Sequence, residues 1–307
     1  MRFFKKTNIN FIDRRRFFYI LSVIVIAIGL LSLIFKGIGY GIDFLGGTEL
    51  VIQFDNPPSI GEIRSALSAS GFAKAEIKIY GDPRNVLIRT TELETGTEVG
   101  DRIKNALTTH FQKNKITILE EQKISPKIGA ELRRDALYAV IFSLIAMLIY
   151  IGFRFKFIYG VGAVVALFHD VIVTLGVISL LDGISPFFDF EIDQNMIAAF
   201  LTLVGLSVND TVVIFDRIRE NLKIYKAMPF RDIINKSMND TLSRTIITSG
   251  TIFIVLLIIM LFGGEVTRGF AFALTFGIVT GTYSSIFIAS AIVYEWSLKK
   301  IKVNHEI

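Results

Sequence analysis

Phe200-Leu201-Thr202-Leu203-Val204-Gly205-Leu206-Ser207-Val208-Asn209-Asp210-Thr211-Val212-Val213-Ile214-Phe215 is a run of Leu, Val and Ile broken by one polar wedge. With the residues just before it, the stretch 195–215 is long enough to cross a hydrocarbon core, which takes roughly 20 helical residues. Thr202, Gly205 or Leu206, Asn209 and Val213 share one helix stripe by three- and four-residue spacing, and Ser207, Asp210, Thr211 and Ile214 share the next. An acid at this depth is costly, because desolvation disfavours its charged form. A cation brought near restores the charge. Arg244 opens the next apolar run and is followed by Thr245, Thr248 and Ser249. If the separation of Asp210 and Arg244 changes, the pair is a proton switch; if it is fixed, the pair is a buried ion pair that holds two helices together. The spacing leaves both readings open.

Outward from this stretch, five more apolar runs fall near 17–36, 135–153, 158–181, 245–263 and 268–294. They explain how a chain of 307 residues can be 52% hydrophobic and still 20% charged. The charges lie between the runs. The fold class this predicts is an α-helical polytopic membrane protein with six spans. Arg2, Lys5, Lys6, Arg14, Arg15 and Arg16 precede the first run, and Arg154 and Lys156 separate the second from the third. The 217–243 connector is basic, as is the tail at 297–307. The alternate loops carry Asp182, Asp189, Glu191, Asp193 and Glu265. By the positive-inside rule both termini, 1–16 and 297–307, are expected to be cytoplasmic. The formal charge of +5 is therefore topological and implies no nucleic acid. The first run is too long for a signal-peptide core and reads as a retained span. With no cysteine, disulfides, thiolate metal sites and cysteine nucleophiles are excluded.

Residues 37–134, between the first two spans, form the one soluble unit expected, on the extracytoplasmic (periplasmic) side. Thr48–Phe54 alternates as a strand does, and a helical pattern then runs through Ile63, Ala66 and Leu67 to Gly71. Ala75–Tyr80 and Asn85–Thr90 read as strands around a Gly81-Asp82-Pro83-Arg84 turn. A helix from Thr97 to Lys113 and a strand over Ile116–Glu121 complete a β-α-β-β-α-β order, the ferredoxin-like α+β pattern. A helix around Lys127–Asp135 is expected to run straight into the second span. Among the acids of this domain, Glu49, Glu76 and Glu94 read as solvated. No nucleophile triad, paired-carboxylate cleft or zinc spacing is present, and no enzyme activity is expected.

Elsewhere, Gly37-Ile38-Gly39-Tyr40-Gly41 has Ile42 where a dinucleotide fingerprint needs glycine. Together with Gly46 and Gly47 it reads as a hinge between span and domain. No cofactor or metal is expected. His169-Asp170 lies mid-span in the third run, either as a helix–helix hydrogen bond or as part of a polar interior. Gly277, Gly281, Ser284 and Ser285 form a small-residue face in the sixth run, suited to close packing.

Several segments together resemble the SecF proteins of the SecD/SecF export family. They are Gly41-Ile42-Asp43-Phe44-Leu45-Gly46-Gly47-Thr48, Ser125-Pro126-Lys127-Ile128-Gly129-Ala130-Glu131-Leu132 and Ala166-Leu167-Phe168-His169-Asp170-Val171. Asn209 to Asn221, Thr241-Leu242-Ser243-Arg244-Thr245 and Gly281 to Phe287 complete the set, across about 40–295. Ser125 stands where the family has Gly, and Leu206 where a Gly-Tyr-Ser pattern has its aromatic. The resemblance implies a fold related to the resistance-nodulation-division transporters and residence in the bacterial cytoplasmic (inner) membrane. It also implies a SecD partner, association with the SecYEG channel and YajC, and an outer domain that meets the translocating preprotein. It links Asp210 and Arg244, with Asn209, Thr211 and Ser207 around them, to ion coupling that drives late translocation; His169, Asp170 and Thr248 would give polar support. Protons or sodium ions would both suit a carboxylate among hydroxyls. Competing readings are a small-molecule exporter half of the same superfamily and a purely structural translocon subunit.

Overall fold

The computed structural model describes residues 7–94, 96–185 and 187–305, with side chains through Leu298. Among the described residues, six helical segments are long and apolar enough to span a membrane. In chain order these begin with α1 (Arg15–Phe35), α5 (Pro126–Arg154), α6 (Phe157–Leu181) and α7 (Gln194–Ile224). They continue with α8 (Phe230–Phe262) and with α9 (Glu265–Ser284), which runs through a π-helical turn (Ser285–Ala289) into α10 (Ser290–His305). Local chemistry sets the starts. Ser125 caps α5, its Oγ accepting from the Ile128 N–H, and Pro126 sits in the first turn, where its missing N–H costs nothing. Asp193 caps α7, its carboxylate accepting from the Met196 N–H at 2.7 Å. The extension expected before the second span is present, since α5 is continuous from Pro126.

Between α1 and α5 lies the sheet domain. A two-residue strand β1 (Gly39–Tyr40) and one helical turn α2 (Ile42–Leu45) lead into β2 (Gly47–Phe54). Then come α3 (Ile60–Ala69), β3 (Glu76–Ile79), β4 (Asn85–Thr90), α4 (Glu98–His110) and β5 (Ile116–Ile124). The antiparallel order β3-β4-β2-β5 is that of a ferredoxin-like unit, as the sequence predicts. Leu50, Ile52, Val86 and Ile88 on one sheet face pack with Ile63 and Leu67 of α3 and Ile103 and Leu107 of α4, all fully buried. Leu67→Ala is therefore expected to cost about 2–5 kcal/mol. Hydrogen exchange in the full chain would show it as lost protection in β2–β5, with α5–α10 unaffected.

Residue pattern carries no signal for β1 or for β6 (Glu191–Ile192), which pair in parallel as Gly39 with Glu191 and Tyr40 with Ile192. Two residues are too few to show a period, and the pairing joins residues 152 apart in the chain. This short ladder ties the entry of the sheet domain to the loop between α6 and α7. Gly46 and Gly47 also behave differently from an open joint. A Cβ at Gly46 would lie 2.7 Å from Pro126 N, and one at Gly47 would lie 2.2 Å from the Thr90 carbonyl oxygen. Gly46 has φ of 80° as well. Glycine is needed there for close backbone approach.

The spans divide into two apolar clusters. One, at the end where α10 lies, includes Phe215, Ile218, Ile234 and Met238. The other, toward the sheet domain, includes Phe190, Met196, Phe200 and Phe272. On α7, the buried polar residues Ser207, Asp210 and Thr211 lie between Phe200 of the second cluster and Phe215 of the first.

Candidate functional site

α7 supplies the centre of this polar layer. Ser207, Asp210 and Thr211 are all buried, facing into the bundle, whereas Thr202, Gly205 and Asn209 on the adjoining stripe are exposed. The two stripes read from the sequence thus have different fates. One is interior, and the other lies on the outside of the bundle.

Asp210 accepts a hydrogen bond from Ser249 Oγ of α8 at 2.7 Å. Arg244, one and a half turns before Ser249, is exposed. Among the described residues no ion pair joins it to Asp210. Thr248 is half-buried, and its backbone carbonyl accepts from the Thr251 hydroxyl at 2.8 Å. Ser249, its neighbour, makes the contact to the acid.

Asp170 of α6 forms a second centre and is fully buried. Its Oδ2 accepts from Ser207 Oγ at 2.7 Å and from Ser284 Oγ at 2.8 Å, and its Oδ1 lies 3.0 Å from His169 Nδ1. His169 Nε2 is 3.1 Å from Ser22 Oγ of α1, which lies 2.8 Å from the Tyr283 hydroxyl. Four helices are joined through these two side chains. Ser207 links the centres, since it bonds Asp170 and sits one turn from Asp210 on α7. Thr211 and Ser285 share a hydrogen bond of 2.7 Å where α9 becomes π-helical. Such π turns are rare and gather at functional sites.

Ser284 and Ser285 read from the sequence as packing residues, and their glycine neighbours do pack. A Cβ at Gly277 would lie 2.6 Å from Leu203, and one at Gly281 would lie 3.0 Å from Ser207 Cβ. The serines also bond, which spacing along one helix cannot reveal. Ser249 is one of the polar residues that the sequence places after Arg244, and Tyr283 lies in the Gly281 to Phe287 segment, whereas Ser22 carries no signal beyond being a polar residue in an apolar run.

A second polar assembly lies outside the spans. Glu49 of β2, Arg89 of β4 and Glu76 of β3 stand in one cross-strand row on the sheet face opposite α3 and α4. Arg89 Nε donates to Glu49 at 2.6 Å, and its Nη1 is 3.7 Å from Glu76, which is also paired with Lys78. Glu49 and Glu76, which read as solvated, are therefore partly buried and paired; Glu94 is exposed.

Comparison with known proteins places these features in a family. The model described as "Protein export membrane protein SecD/SecF, C-terminal" matches residues 103–299, and the "SecD/SecF GG Motif" matches 31–58. The SecF translocase subunit of Rhodothermus marinus is 46% identical over 96% of this chain and 95% of its own length. That of Desulfurispirillum indicum is 42% identical over 96% and 93%. The crystal structure of SecDF, a translocon-associated membrane protein from Thermus, superposes with a TM-score of 0.79 at 35% identity. This chain is 95% covered there but spans only 39% of that longer chain. Six spans, a ferredoxin-like domain after the first, and full-length likeness to SecF subunits agree: the chain belongs to the SecD/SecF family of protein-export membrane proteins.

Proposed function

We propose that this chain is the SecF-like half of a SecD–SecF pair, using the proton motive force to drive late steps of preprotein translocation beside the SecYEG channel. In this reading it lies in the bacterial inner membrane with both termini cytoplasmic. The observation that carries it is the state of Asp210: buried, hydrogen-bonded to Ser249 of the adjacent helix that also carries Arg244, and, among the described residues, not ion-paired. An acid and a base on adjacent helices, unpaired here, can exchange between paired and separate states. Pairing favours the carboxylate and separation favours the neutral acid. Each proton carried inward releases about 2.3 kcal/mol per 100 mV of membrane potential. That energy biases a two-state motion only if the states differ in protonation, which a pair of variable separation provides.

A SecD partner accounts for the exposed stripe. Arg244 and Asn209 lie within spanning helices yet face outward. Polar groups there need a protein neighbour, because hydrocarbon offers them no hydrogen bonds.

The test is ion flux into vesicles holding this chain with SecD, comparing native protein with Asp210→Asn. Proton flux is expected in the native vesicles and its loss in the variant, with assembly unchanged. Flux that persists in the variant, or is absent from both, would leave the acid structural. A sodium gradient run in parallel decides the coupling ion.

A further inference from the structure

Hydrogen counting around Asp170 fixes where the protons of this centre lie. The Tyr283 hydroxyl has one hydrogen and gives it to the Phe18 carbonyl of α1, which has none of its own, at 2.8 Å. In the 2.8 Å contact between Tyr283 and Ser22 the hydrogen therefore comes from Ser22. Ser22 Oγ can then only accept from His169, so their 3.1 Å contact is made by an Nε2–H. On the other side of the ring, Nδ1 and Asp170 Oδ1 are 3.0 Å apart. A neutral imidazole with its hydrogen on Nε2 presents a bare Nδ1, and a carboxylate presents a bare oxygen. Two lone pairs do not make such a contact, so one more hydrogen lies between them. It sits on Nδ1 or on Oδ1, because Oδ2 accepts from Ser207 and Ser284. Ser22 and Tyr283 thus set the tautomer of His169. The pair holds one proton more than a neutral histidine beside a carboxylate.

The depth of the pair relates it to Asp210. Asp170 is level with Ser207, to which it is bonded, and Asp210 follows Ser207 by one turn of α7, away from the sheet domain. Ser249 of α8 is level with Asp210, to which it donates. Thr174 lies one turn beyond Asp170 on α6, toward the sheet domain, and Thr245 lies one turn before Ser249 on α8, toward the connector. Both are fully buried, and among the described residues neither hydroxyl has a hydrogen-bond partner. A buried hydroxyl left free is costly and uncommon, and these two bracket the acids. In order of depth the groups are Thr174, the His169–Asp170 pair with Ser207, Asp210 with Ser249, and Thr245. The steps between them are about 4.5–6 Å at the rise of an α-helix.

We propose that the His169–Asp170 pair is a second proton station, on the sheet-domain side of Asp210, from which that acid is loaded. This rests on the reading of Asp210 as a proton carrier. In the transfer the pair gives up its one extra proton, Asp210 takes one, and the negative charge passes from Asp210 to Asp170. Ser207, bonded to Asp170 and one turn from Asp210, is the hydroxyl between them. The emptied pair sets a bare nitrogen against a bare oxygen, which favours reloading. Thr174 is the free hydroxyl on the side from which protons arrive.

The chain has three histidines, so in isotope-labelled protein the His169 signals are found by their loss in His169→Gln. With the full-length chain and SecD in vesicles at neutral pH, nitrogen NMR is expected to show hydrogen on Nε2 of this ring. A bare Nε2 overturns the station, since Ser22 would then be the donor and the pair would hold no extra proton. Proton flux in the same vesicles tests the route. Asp170→Asn keeps the shape of the site but cannot carry a proton, and is expected to lower flux about 100-fold or more with assembly unchanged. Asp170→Glu, which disturbs packing but keeps a carboxyl, is expected to retain more flux than Asp170→Asn; the reverse order marks a structural role and overturns the station. Flux that survives Asp170→Asn while Asp210→Asn abolishes it also overturns the station and leaves Asp210 as the carrier. Flux absent from native vesicles overturns ion coupling itself, and the station with it.

Discussion

Asp170→Ala is expected to destabilise the helical bundle by about 2–5 kcal/mol. The carboxyl is fully buried and takes hydrogen bonds from Ser207 and Ser284, with His169 against its other oxygen. Hydrogen bonds between membrane helices average only about 0.6 kcal/mol, because the unfolded chain in lipid also finds partners. Three lost together, from groups that no water can reach, add to more than any one of them. The loss extends further, since His169 is also held by Ser22 and Ser22 lies beside Tyr283. Unfolding in mixed SDS micelles measures the effect. Asp170→Asn, which keeps the shape and one acceptor oxygen, is expected to recover more than half of it. A cost under about 1 kcal/mol for the alanine would mean that the hydroxyls re-pair among themselves.

Gly176→Leu is expected to separate α1 from α6. These helices run parallel in close contact, with pairs at a constant offset: Ser22 with His169, Gly29 with Gly176, and Ser32 with Ser179. At the middle pair a Cβ on Gly176 would lie 2.6 Å from Gly29 Cα, and one on Gly29 would lie 2.9 Å from Gly176 Cα. The clash is with backbone, so no rotamer relieves it. The helices must move apart, at a cost of about 1–3 kcal/mol for overpacking plus the bonds lost at either side. Ser32 Oγ and Ser179 Oγ lie 2.8 Å apart, so cysteines at both positions are expected to form a disulfide readily. Adding Gly176→Leu is expected to abolish that cross-link, and Gly176→Ala to slow it. Efficient cross-linking in the leucine variant would show that the helices accommodate the bulk by sliding. Span one would then not depend on this glycine seam.

These two sites show how unevenly the sequence speaks. An acid or a histidine inside an apolar run is conspicuous, because hydrocarbon makes charge costly and chance rarely puts it there. Asp210 and His169-Asp170 therefore stand out from the sequence alone. Gly29 and Gly176 do not, since glycine is ordinary in spans and nothing in either helix names the other. The same holds for serine. Ser249, rather than Thr248, meets Asp210, and the two differ only by the 100° that separates neighbours on a helix. Ser284 fits a packing stripe as well as it fits a bond to Asp170.

What the sequence determined by itself is what depends on local pattern and on solvent. Six spans follow from runs of apolar residues matched to the bilayer, and the sheet domain follows from strand and helix periods read within a few residues. The tertiary structure decided what depends on partners distant in the chain. It decided which stripe of α7 faces inward, that Arg244 stands apart from Asp210, and that Gly46 and Gly47 are tight crossings. It also decided that Glu49 and Glu76, which read as solvated, flank Arg89 in one cross-strand row. The physical reason is one of range. Hydrophobicity acts on each residue through the solvent around it, whereas a hydrogen bond, a close backbone contact or a shared proton exists only once two segments have been brought together.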